Sequence, residues 1–207
     1  MNLIPQFPLK LVVFQEEQVN LHIFEERYRQ LITDCYKNDR AFGIPVVQKD
    51  KSLRIGTTVK VVKIENQYPD GRMDLITRGL QSFIIKSYTD PIENKLYAGA
   101  EVEFLNYTDD SDFELNKKII SLIQDLYKVM KVNQEVTEDY ITFRIYQVVH
   151  KIGLTPNQEI FLLELSSEQE RQKFVLEHLQ HLIPIVSNLE LMKRKISMNG
   201  HFKNAQI

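Results

Sequence analysis

A single cysteine, Cys35, occurs in 207 residues, which excludes a disulfide framework and any four-thiolate metal site. Glycine is scarce: there are seven, and no two stand at the spacing of GxGxxG or GxxxxGK. The backbone loops that cradle nucleotide phosphates are therefore missing, and so is the GxSxG elbow of common serine hydrolases. Charge of one sign is not in excess either. Lysine plus arginine number 26 against 28 aspartates and glutamates, which disfavours a nucleic-acid binder working by bulk charge. No run approaches the roughly 18 apolar residues that span a bilayer. The start, MNLIPQFPLKLVVF, lacks the basic segment, apolar run and small-residue cleavage site of a signal peptide. These absences lead to the expectation of a soluble, cytoplasmic chain.

What is present divides into two halves with different periods, and 43% hydrophobic residues are enough to build a core. The first half reads as short strands. In Ala98–Phe104, Ala98, Ala100, Val102 and Phe104 share one parity and Glu101 and Glu103 the other, which predicts one buried and one wet face. Strands are likewise expected over Leu9–Phe14, Val19–Phe24, Phe42–Gln48, Thr58–Ile64, Arg72–Arg78 and Gln81–Tyr88, with a hairpin turn at Tyr68-Pro69-Asp70-Gly71. Pro45 lacks an N–H and belongs at an edge or a bulge. One helix interrupts the series, its apolar stripe formed by Phe24, Tyr28, Leu31, Ile32, Cys35 and Tyr36.

After Tyr107 the period becomes helical. Ser111-Asp112-Phe113-Glu114 has the form of a capping box opening a helix to about Lys131. A second helix is expected over Glu138–Ile152, with Gly153 as its left-handed cap. Thr155-Pro156-Asn157-Gln158 opens a third, short helix, and Ser167-Glu168-Gln169-Glu170 a long last one that Pro184 should kink or split. From Asn199 the polar tail is expected to fray. The expected class is α+β: a small β-barrel with one inserted helix over residues 1–107, then a helical bundle over 108–207.

Candidate chemistry is thin. His178 and His181 share a helix face beside Glu177, but two imidazoles without a third ligand are more simply surface side chains. His22 lies within a strand and reads as a hydrogen-bonded or outward-facing structural histidine. Cys35 sits on the apolar stripe, where a buried, inert thiol is the simpler reading than a nucleophile. Glu101 and Glu103 need only a wet strand face, and Lys193-Arg194-Lys195 only the end of a helix. No catalytic, cofactor-binding or metal-binding residue is assigned.

The run Phe7-Pro8-Leu9, then Leu11-Val12-Val13-Phe14, then Leu21-His22-Ile23-Phe24-Glu25-Glu26-Arg27-Tyr28-Arg29 resembles the amino-terminal substrate-recognition domain of Lon proteases. It is most similar to stand-alone bacterial members of that family without ATPase and peptidase modules. Phe42-Gly43-Ile44, Ile55-Gly56-Thr57, Asp70-Gly71-Arg72 and Arg78-Gly79 follow in the family's order. The family usually has Pro-Gly after the phenylalanine equivalent to Phe14, whereas Gln15-Glu16 stand here. The resemblance implies a PUA-like barrel followed by a helix bundle. It also implies a non-enzymatic module that needs no cofactor or metal and binds unfolded or exposed polypeptide segments.

Such a module would serve protein quality control or act as an adaptor to a separate protease; nucleic acid and membrane are disfavoured as partners. The expected binding surface is a concave junction of barrel and bundle, supplemented by a barrel edge near Pro45. Within the motif, Phe7, Pro8, Leu9, Phe14, Phe24 and Tyr28 are expected to seat the first strands and the helix. His22, Glu25, Arg27 and Arg29 belong to the same phrase. Glu25 and Arg27 cannot form an i,i+4 pair on a helix, so their ion pairs are expected with other residues. A PUA-like domain for RNA or a small ligand is the alternative from another class, and a hydrolase using Cys35 or His22 a third.

Overall fold

The computed structural model describes residues 3–48 and 52–201. Six strands, β1 (Leu3–Gln6), β2 (Gln18–Ile23), β3 (Phe42–Val47), β4 (Leu53–Gln67), β5 (Met73–Thr89) and β6 (Ala98–Phe104), form one sheet. The helices are α1 (Glu26–Lys37), α2 (Phe113–Met130), α3 (Pro156–Glu164) and α4 (Glu168–His201). Two compact units result. The first comprises residues 1–107 and 154–166, the second 108–153 and 167–207, so the chain passes between the units three times, after residues 107, 153 and 166.

In the first unit the strand order is β2-β5-β4-β3-β1-β6, and β5 also pairs with β6. That extra pairing closes β5, β4, β3, β1 and β6 into a ring, with β2 attached outside it. The result is a closed sheet with a flank and not a plain barrel. β5 serves both parts: Met73–Arg78 pairs with β2, and residues from Phe83 onward pair with β6. The two strands expected on either side of Gly79 are therefore one. Gly79 is what lets the strand pass, because a Cβ there would collide with the Phe14 carbonyl oxygen. Inside the sheet, Leu31, Ile32, Phe42, Ile44, Val59 and Leu75 form a core to which α1 contributes its inner face.

Several local expectations are corrected. Leu9–Phe14 is not a strand; Leu9 makes one bridge to Val46 and the rest of the segment runs without a ladder. Its buried backbone finds side chains instead, with Thr57 Oγ1 donating to the Val13 carbonyl and Phe14 N–H to the Glu17 carboxylate at 2.8 Å. Of the edge or bulge expected for Pro45, it is the bulge that forms and not the edge. Its strand is paired on both sides, parallel to β1 and antiparallel to β4, and the missing N–H falls at a register shift between Pro45 and Val47. Phe104 is 44% exposed: among the described residues β1 pairs with Ala98–Glu101, and Phe104 pairs with Phe83 of β5. The turn at Gln15-Glu16 forms without the family's glycine: Glu16 itself takes the left-handed conformation at φ 66°. Glu16 N–H donates to the Gly79 carbonyl and Gly79 N–H to the Glu17 carbonyl, a G1-type bulge that starts the β2–β5 ladder.

In the second unit α2 packs against α4. The N-cap of α2 is Asp112, whose carboxylate accepts from the Glu114 and Leu115 N–H groups, and not Ser111. Ser111 Oγ accepts from Asn116 and Gln172. The helix expected over Glu138–Ile152 does not form; turns and two short 3-10 helices, Ile145–Gln147 and Val149–Lys151, replace it. The reason lies in two buried polar side chains. Asn116 Nδ2 donates to the carbonyls of Tyr140 and Phe143, and Glu168 Oε1 accepts the Ile145 N–H at 2.7 Å. These bonds take over groups a helical ladder would have used, so Phe143, Ile145 and Val149 reach the core from an irregular backbone. α4 runs through Pro184 without splitting. Pro184 is exposed, so the carbonyl it deprives of a donor lies at a wet stretch of helix. Residues 202–207 of the expected fraying tail lie outside the described residues.

Candidate functional site

The motif from Leu21 to Arg29 turns the chain from β2 into α1, and its side chains divide between core and surface. Tyr28 is buried, edge-on to Phe7 with ring centroids 4.3 Å apart, and Phe7 in turn meets Phe42 at 6.3 Å. Phe14 is buried and Pro8 and Leu9 half-buried, Leu9 exchanging hydrogen bonds with Pro45 and Val47. Phe24 differs from expectation: it is 61% exposed, because it follows β2 on the outward parity of His22 and lies before α1 begins. Its ring stacks beside His22 with centroids 6.2 Å apart. Tyr36 is also outside the core.

Glu25 and Arg27 do pair, contrary to the helical argument, at 2.8 Å. Glu25 is the N-cap of α1 with extended backbone (ψ 138°), so helical spacing does not govern it. His22 Nδ1 lies 2.6 Å from Asp74 Oδ1, while Tyr68 and Asn66 donate to Oδ2 of the same carboxylate. The hydrogen bonds from His22, then Tyr68, lower the Asp74 carboxyl to about 2. Cys35 is buried on the inner side of α1, and burial pushes its thiol up to about 11. His22 is outside and Cys35 inside, so they do not form a nucleophile–base pair. His178 and His181 each face a backbone carbonyl, of Ile152 and Glu177. Among the described residues no group of three or more metal-binding side chains occurs. None of the described helices is long and apolar enough to cross a membrane.

Beside the motif lies an open groove of about 510 Å³ in the first unit. One wall is the outer face of α1, with Glu26, Arg29, Gln30 and Thr33; the other is the β4–β5 hairpin, with Gln67, Gly71 and Met73, and Leu96 adds a half-exposed apolar side chain. The walls are fixed by hydrogen bonds. Arg29 Nη1 donates to the Asp70 carbonyl at 2.7 Å, holding the hairpin turn whose Gly71 stands at φ 86°. Gln30 Oε1 accepts the Leu96 N–H at 2.7 Å, and Asp34 accepts from Lys95 and Tyr97. Burial works to raise Asp34, but the bonds from Lys95 and Tyr97 outweigh it and keep the carboxyl below its ordinary value. The Nε–H of Arg29 is buried without an acceptor in the structure. A larger hollow of about 750 Å³ in the second unit is bounded by the end of α2 and the polar segment 131–138.

The groove and its bracing were not assigned from sequence. Only the arginine at position 29 and the Asp70-Gly71 turn hinted at it, and no periodic pattern connects them across 41 residues.

The first unit thus combines a closed sheet with a flanking strand, a helix braced against a hairpin and an open groove between them. The family profile of the ATP-dependent protease La (LON) substrate-binding domain matches residues 4–181, and the chain belongs to this family. Two solved structures share the fold. The Lon N-terminal domain protein from Xanthomonas campestris is 23% identical with a TM-score of 0.63, and the N-terminal domain of Mycobacterium avium complex Lon protease is 14% identical with a TM-score of 0.60. In both comparisons 86% of this chain and 98% of the other are covered. No curated protein matches the chain.

Proposed function

We propose that this chain is a non-catalytic reader of polypeptides, acting in protein quality control or as an adaptor that presents unfolded or exposed segments to a separate protease. The observation that carries the reading is the groove between α1 and the β4–β5 hairpin: open, apolar at Met73 and Leu96, and rimmed by Glu26, Gln30 and Gln67. An unfolded segment brings apolar side chains together with unpaired backbone groups, and a lining of both kinds answers both needs. Binding is weak and permissive, because a short segment buries little area and loses entropy as it orders.

Calorimetry of the whole chain with a reduced, alkylated, permanently unfolded protein tests this. Micromolar to sub-millimolar binding is expected, weakened about fivefold or more by Leu96→Asp, which places a charge in the apolar part of the groove. Absence of binding at the highest soluble concentration, or binding indifferent to Leu96→Asp and to Thr33→Arg, overturns the assignment.

A further inference from the structure

β2 ends at Ile23, beside Met73 of the groove, and among the described strands it alone has a single neighbour, β5. The bulge at Glu16-Glu17 sets which of its backbone groups are used. Gly79 N–H donates to the Glu17 carbonyl, so 17 and 79 form a hydrogen-bonded pair. The register then runs without a shift from Gln18↔Arg78 to Ile23↔Met73. In an antiparallel ladder bonded pairs alternate, which assigns Val19, Leu21 and Ile23 to β5. The N–H and C=O groups of Gln18, Asn20 and His22 point the other way, and no other described strand pairs with them. All three residues are exposed.

Exposed sheet edges are ordinarily blunted by proline, lysine, a bulge or a charge turned inward. Within Gln18–Ile23 there is no proline, lysine, arginine or carboxylate and no register shift; the one bulge, at Glu16-Glu17, lies before the strand, and Gln-Val-Asn-Leu-His-Ile is β-prone and regular over six residues. By contrast, the β4–β5 pairing carries three register shifts. Charge lies mostly at the ends. Glu16 and Glu17 precede the strand and Glu25 and Glu26 follow it, against Arg78, Arg27 and Arg29, of which Arg78 pairs with Glu16 and Arg27 with Glu25, and the Asp74 carboxylate stands 2.6 Å from His22. The flanks thus keep an acidic excess around a neutral edge, and the exposed Phe24 ring stands at one end.

We infer that the free edge of β2 captures an extended polypeptide segment as an added antiparallel strand, and that the preferred segment has about six uncharged, β-prone residues between basic flanks. The inference rests on the polypeptide-reading role and adds to it a second contact surface and a partner chemistry. Backbone pairing supplies affinity that does not depend on sequence, and the acidic ends supply the preference for lysine or arginine.

The test uses the whole chain and a synthetic peptide of six alternating threonine and valine residues between paired lysines. Amide hydrogen exchange is expected to slow at Asn20 and His22 when the peptide is added. N-methylation of alternate peptide residues, or glutamates in place of its lysines, abolishes the effect. Asn20→Pro removes an outward N–H without touching the β5 ladder and weakens binding about tenfold or more; Leu21→Pro, which breaks that ladder, serves as the folding control. If Asn20→Pro does not fold, the N-methylated peptide pair decides alone. Peptide binding without protection at Asn20 and His22 overturns the edge assignment and leaves the polypeptide-reading role standing. Failure of both this peptide and the unfolded protein to bind removes both. Protection of the same amides without peptide, with a doubled mass in solution, overturns the inference in favour of pairing between two copies.

Discussion

Replacing Asn116 by alanine removes the side chain that lets residues 140–145 stay irregular. Asn116 is fully buried and makes four contacts of consequence: Nδ2 donates to Ser111 Oγ and to the carbonyls of Tyr140 and Phe143, and Oδ1 accepts from Gln172. Two of these bonds, to the Phe143 carbonyl and from Gln172, are wholly buried. Their partners keep other bonds, the Phe143 carbonyl from Arg144 Nη1 and Gln172 Nε2 to Ser111 Oγ and the Asp112 carbonyl, so the loss is the net worth of each bond, about 0.5–1.5 kcal/mol, or about 1–3 kcal/mol for the two. Urea unfolding is the assay: the midpoint should fall while the slope stays constant, because the surface exposed on unfolding hardly changes. Amides from Ile141 to Ile145 should also exchange faster than those of β4 and β5. A loss below about 0.5 kcal/mol, the scatter of an ordinary surface substitution, would refute the claim that Asn116 holds this segment.

Tyr28→Ala empties an aromatic site in the core beside Phe7 and should cost roughly 3 kcal/mol or more; an unchanged melting temperature would place Tyr28 outside the core. Glu16→Gly relieves a left-handed non-glycine residue at the loss of an exposed ion pair, and chemical denaturation should register a gain of about 0.5–1 kcal/mol. The Asp74 carboxyl titrates lower in the folded chain than in the unfolded one, so its stabilising effect is present above pH 4 and fades as pH falls towards 2. Asp74→Asn should flatten the dependence of melting temperature on pH in that window, and a profile parallel to wild type would contradict the His22–Asp74–Tyr68 cluster. The buried Cys35 thiol should resist a thiol reagent at neutral pH in the folded state and react fully in denaturant.

The sheet was legible where its strands have one wet face and opaque where they do not. β2, with strict alternation of exposed and buried residues, reads directly from sequence, as does the Asp70-Gly71 turn. β1 escaped notice because it is four residues long, contains Pro5 and is paired on both sides, which removes the alternation. The false strand over Leu9–Phe14 has the hydrophobicity of a strand, but its backbone partners are side chains such as Thr57, and no local pattern announces that. Residues 138–152 carry helical spacing; what overrules it is Asn116 and Glu168, 22 and more residues away along the chain in one case and 16 or more in the other. The groove is hidden from sequence for the same reason, since Arg29 and Asp70 meet only through the tertiary fold.

The assignment of residues 154–166 to the strand-bearing unit has a consequence for synthesis. A ribosome that has delivered Tyr107 has supplied every strand, yet α3, which completes that unit, emerges only after the intervening stretch of the other. At roughly 5–20 residues per second the nascent sheet waits about 3–12 s for its last piece. During that interval the ring must hold on strand pairing and the α1 core without α3, so a truncation ending at residue 107 imitates a birth intermediate and not a finished domain.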